Sequence, residues 1–64
     1  MQIVEDPCWN ESDKWTARNL YARFISLGYG RESSISLASA GVWKKKWAGT
    51  MYADWIETVL SSKL

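Results

Sequence analysis

Apolar positions recur along this chain at helical spacing, and glycines and small polar residues cut the pattern into segments. In the first half, Ala17, Leu20, Tyr21 and Phe24 follow the i, i+3, i+4, i+7 rule of one helix face, while Arg18, Asn19, Arg23 and Ser26 fall off it. Asn10 or Ser12 supplies an N-cap, and Glu11 and Asp13 suit the positive end of the helix dipole. Gly28 and Gly30 close the segment, because glycine adopts the left-handed cap conformation without steric cost. The pattern predicts a first helix over about residues 10–27. Trp15 points almost opposite to Leu20 and Phe24 on this helix. The favoured expectation is a cover by Ile3, Val4 or Trp9; the alternative leaves Trp15 exposed for use.

Residues 1–9 read as an extended arm, since Pro7 biases Asp6 away from helical geometry. Residues 31–41 are ambiguous. Ser34 to Leu37 alternates with the period of a strand, but Ala38 and Ala40 favour helix. The favoured element is a short helix over about 34–40, capped by Ser33 or Ser34 and ended by Gly41, with a strand as second reading. From Val42 onward two rows repeat every four residues: Trp43, Trp47, Met51, Trp55 and Val59, and beside them Ala48, Tyr52, Ile56 and Leu60. Residues 42–62 form either one long helix or two short ones. A break at Gly49-Thr50 is favoured, with Thr50 as N-cap, because mid-helix glycine costs about 1 kcal/mol relative to alanine. The fold class is therefore all-α: a small bundle of three to four short helices with an extended N-terminal arm, one small helical domain over residues 1–64.

Length sharpens the packing problem. A chain of 64 residues buries only about 60% of the surface its unfolded form exposes. Cys8 is the only cysteine and histidine is absent, so neither an internal disulfide nor a zinc cage supports the core. The five tryptophans are the remaining asset, and they are more than so small a core hides, so at least one is expected at the surface. The lone thiol suggests a reducing cytoplasm. No apolar run is long enough to span a membrane, and the start lacks the basic and apolar regions of a signal peptide.

Net charge is only +1, but it is unevenly spread. Glu5, Asp6, Glu11 and Asp13 make the start acidic, whereas Lys14, Arg18, Arg23, Arg31, Lys44, Lys45 and Lys46 face a single Glu32 in the middle. Catalysis is not expected. Histidine-dependent nucleophiles are excluded, no phosphate-binding glycine loop is present, and Cys8 has no basic neighbour in sequence to activate it. No cofactor or metal is implied.

Two binding readings remain. The stretch Leu37 to Val42, followed by Trp47, resembles the core of a helix-turn-helix, with Ala38 as the small residue, Gly41 at the turn, and Val42 and Trp47 as anchors. The first helix is one residue short, and the following helix lacks the usual base-reading side chains. The resemblance implies a small DNA-binding regulator using the helix after Gly41, with Lys44, Lys45 and Lys46 on phosphates and Arg18, Arg23 and Arg31 adding backbone contacts. The second reading is favoured: a small non-catalytic regulatory or adaptor protein that binds a protein partner, or a second copy of itself, through Trp15, Trp43 and Trp47. A membrane-surface helix is disfavoured by Asp54 and Glu57 on the polar face of the last helix.

Overall fold

The computed structural model describes residues 7–62, and these form an all-α fold of three helices. They are α1 (Glu11–Ser26), α2 (Arg31–Ala48) and α3 (Thr50–Ser61). Of the expected arm, residues 1–6 lie outside the described residues. Pro7 and Cys8 make a turn, and Trp9 is tucked under the helices at 5% exposure.

Both ends of α1 are set by local chemistry. Asn10 accepts a hydrogen bond from the Asp13 backbone N–H at 2.9 Å, and Asp13 Oδ2 accepts from the Asn10 N–H at 3.1 Å, which completes a capping box. At the other end Gly28 takes φ +96°. The Tyr29 N–H donates to the Phe24 carbonyl at 3.0 Å and the Gly28 N–H to the Ile25 carbonyl at 3.0 Å. This pair of bonds is a Schellman closure, and the apolar contact that accompanies it is the edge of Tyr29 against Phe24, centroids 5.5 Å apart.

The middle of the chain departs from expectation. There is no short helix over 34–40, no strand among the described residues, and no stop at Gly41. One helix of 18 residues starts at Arg31, capped by Gly30, and runs through Gly41 to Ala48. Its buried stripe is Ser34, Ala38, Gly41 and Val42, which is i, i+4, i+7, i+8 built from small residues. The turn that the helix-turn-helix resemblance needs at Gly41 is therefore absent. At Gly41 side chains of both neighbouring helices press on α2: a Cβ there would collide with Leu20 Cδ1 and lie 3.2 Å from Cζ3 of Trp55.

The favoured break at Gly49 is present. Gly49 adopts φ +50°, a left-handed value that suits glycine, and it ends α2 and caps α3 at once. Thr50 is the first residue of α3 rather than its cap. The single stripe from Trp43 to Val59 is thereby split between two helices.

α2 is the central element. It packs on both neighbours, whereas α1 and α3 meet sparsely. One core cluster joins Trp9, Ala17 and Val42, with Trp43 against it. The other joins Leu20, Phe24 and Ala38, covered by Tyr52, Trp55, Ile56, Val59 and Leu60 of α3. No residue of α3 is fully buried, so α3 is the outer member. Its far end is tied down by Tyr29, whose hydroxyl donates to the Val59 carbonyl at 3.0 Å. Trp9 Nε1 is buried and finds no hydrogen-bond partner among the described residues. An orphan donor costs about 1–3 kcal/mol. Burying roughly 200 Å² of indole at about 25 cal/mol per Å² offsets it.

Candidate functional site

The sparse meeting of α1 and α3 leaves a cleft of about 350 Å³. Trp15, Thr16, Asn19, Leu20 and Arg23 of α1 form one wall, Lys45 of α2 and Tyr52 of α3 the rest. Trp15 sits on this wall at 67% exposure, so the favoured expectation that it is covered does not hold. Trp9, one of the proposed covers, packs instead on Ala17 and Val42; Ile3 and Val4 lie outside the described residues. The surplus of tryptophan does reach the surface, because Trp47 is also 74% exposed.

The helix register distributes the lysine triplet in three directions, since consecutive residues turn by about 100°. Lys46 reaches α1 and bonds Asp13 Oδ2 at 2.8 Å. Lys44 points to α3, with Nζ 6.0 Å from the centre of the Trp55 ring. Lys45 enters the cleft, where Nζ donates to Thr16 Oγ1 at 3.4 Å. Thr16 in turn donates to the Ser12 carbonyl at 3.0 Å, which fixes the accepting oxygen. Lys46 is thus paired with a carboxylate, while Lys45 bonds a neutral hydroxyl and acts on Asp13 only through its charge.

Comparison with protein-family models, with curated proteins and with solved structures finds no match to this chain. The site is accordingly read from its own chemistry.

The expected contact residues fall into two groups. Trp43 and Trp47 stack with centroids 6.1 Å apart and planes 10° from parallel, Trp43 resting on the core and Trp47 outside. Trp15 lines the cleft with two of the expected cations, Arg23 and Lys45. Arg18 is exposed one turn from Trp15 on the outer face of α1. Arg31 begins α2, about 20 Å along the axis from the lysine triplet at 1.5 Å per residue, so it does not join them in one patch. Thr16, Asn19 and Tyr52 were not singled out from sequence. Asn19 carried a readable signal: it lies four residues after Trp15, and its Nδ2 donates to the Trp15 carbonyl at 2.9 Å.

Asp13 links the site to stability. Its hydrogen bond from Lys46 holds its carboxyl below the ordinary aspartate range; burial opposes this, and the Asn10 N–H and the charges of Lys46 and Lys45 add to it. A carboxyl depressed in the folded state stabilises the fold above its unfolded value and loses that contribution as pH falls through the folded value. Asp13→Asn is therefore expected to lower the urea midpoint most at neutral pH, with the gap to wild type closing in acid. A gap that stays constant across the titration would show that the charge pair contributes nothing.

Proposed function

We propose that this chain is a small non-catalytic binding module, a regulatory or adaptor protein that docks another protein at the cleft beside Trp15. One observation carries the reading: a tryptophan two-thirds exposed on the wall of a groove between helices. Leaving an apolar side chain of this size in water forgoes about 1.5–3 kcal/mol of burial. Tryptophan is among the residues that most often dominate protein interfaces, because a rigid ring buries a large area at little entropic cost. The wall that carries it is firm, since α1 is capped at both ends and packed along its opposite face.

DNA binding by the helix after Gly41 is less well supported. That helix has no separate start, and two of its three lysines are engaged within the fold, one by Asp13 and one over Trp55. The stacked Trp43 and Trp47 offer a second aromatic face, for which self-association is the alternative use.

The test is a photo-crosslinking residue in place of Asn19, followed by affinity measurements on the captured species. A protein is expected, and Trp15→Ala should weaken its binding by about 30-fold, the loss typical of an interface hot spot. The fold of that variant should be intact, because the ring contributes little to the core. Capture of a nucleic acid, or affinity unchanged by Trp15→Ala, would overturn the reading.

A further inference from the structure

We infer that the cleft beside Trp15 receives an acidic segment of the partner, with a carboxylate seated between Arg23 and Lys45 and an adjoining apolar side chain laid on Trp15, Leu20 and Tyr52. This rests on the binding-module reading and adds the chemistry of the occupant.

Charge complementarity carries the argument. Two cations from different helices border the cleft, and no carboxylate is among its lining residues. Lys45 is steered there by a neutral oxygen, Thr16 Oγ1, and an ammonium with three donors has others to offer after that bond. Arg23 adds a planar fork, the geometry that matches a carboxylate through two parallel hydrogen bonds. The apolar lining sits beside these charges, so a segment that pairs an acid with a large apolar residue satisfies both. A volume of about 350 Å³ admits one or two side chains and lies at the small end of ligand pockets.

A nucleic acid fits the same cleft less well. Its backbone needs a row of cations to follow successive phosphates. Here Lys46 is occupied by Asp13, Lys44 lies over Trp55, and Arg31 is at the other end of α2. Two cations bordering one small cleft suit a carboxylate better than a phosphate tract.

The experiment uses the full chain and an array of octapeptides. Each peptide pairs one or two Asp or Glu residues with one Leu, Phe or Trp at every spacing, beside the same array with Asn and Gln. Single-stranded oligonucleotides are included. Binding is expected to favour the acidic array and to weaken as salt rises. Arg23→Gln with Lys45→Gln should reduce it about tenfold, while Arg31→Gln stays within about twofold, since screened charge pairs contribute modestly. Equal binding to the neutral array, equal loss with Arg31→Gln, preference for the oligonucleotides, or no binding at all would overturn the acidic occupant. The two readings fail differently. If the neutral array binds and Trp15→Ala abolishes it, the module stands and only the acidic occupant falls. If no peptide responds to Trp15→Ala, the module falls with it.

Discussion

Phe24→Ala is expected to leave the chain without a cooperatively folded state at room temperature. Phe24 is fully buried, between Leu20 and Ala38, with the edge of Tyr29 against it. Truncating a buried phenylalanine costs about 3–5 kcal/mol, the transfer term plus the cavity left behind. The chain has little to lose. A domain of this length is stable by about 3–10 kcal/mol, and single cores this small commonly supply only the lower part of that range. Phe24 also provides the carbonyl that closes α1 and the ring that receives Tyr29, so the cavity opens where α1 hands over to α2. Urea titration followed by tryptophan fluorescence should show no folded baseline for Phe24→Ala. Phe24→Leu keeps most of the volume and should retain a shifted transition, at a cost of about 1.5 kcal/mol or less. A wild-type midpoint in Phe24→Ala would mean that the second core cluster does not hold the helices together.

Phe24 could be read from sequence because everything that positions it is local. The face Ala17, Leu20, Tyr21, Phe24 follows from spacing, and Asn10 and Gly28 mark the ends of α1 through short-range hydrogen bonds. Trp15 was legible on the same wheel as a residue off the core face, but its exposure was not, since a cover was the favoured expectation. α2 departs from the sequence expectation for a physical reason. Its buried stripe is made of serine, alanine and glycine, which carry helical periodicity in position but little hydrophobicity. What identifies the stripe is the close approach of α1 and α3, and that lies outside the segment. The four glycines look alike in sequence but do different work: Gly28 and Gly49 take positive φ, Gly30 caps α2, and Gly41 sits mid-helix. The cleft was illegible for the same reason. It needs three helices, and the fates of Lys45 and Lys46 depend on Thr16 and Asp13, 29 and 33 residues earlier. The aromatic pair Trp43 and Trp47 was foreseeable, since residues four apart on one helix stack on the same side.

Gly41→Val is expected to destabilise the chain by about 3 kcal/mol, at the upper end of overpacking costs, and to lower Tm by roughly 12 °C or more in a domain this small. Two opposing magnitudes decide the sign. Mid-helix glycine forgoes about 1 kcal/mol relative to alanine, so on propensity alone any side chain with good helix preference should help. Packing reverses the sign. Even the first added carbon meets Leu20 Cδ1 on one side and, at 3.2 Å and 3.5 Å, the six-membered ring of Trp55 on the other. Leu20 is 6% exposed and has little room to turn away. On the Trp55 side the element that yields is α3, which has no fully buried residue and is held at its far end by the Tyr29 hydroxyl; the contact with Leu20 of α1 remains. Gly41→Ala should therefore also destabilise, by less than valine, because its contact with Leu20 outweighs the propensity gain. Valine adds two methyl groups and the stiffness of a β-branched side chain, which removes most of that gain. Its variant should show a red-shifted emission as Trp55 moves into water, together with the lower Tm. The same measurement bears on function. If Gly41→Val were as stable as wild type, the three helices would not meet at Gly41, a turn there would again be admissible, and the DNA-binding reading of the following helix would regain the support that the continuous α2 now denies it.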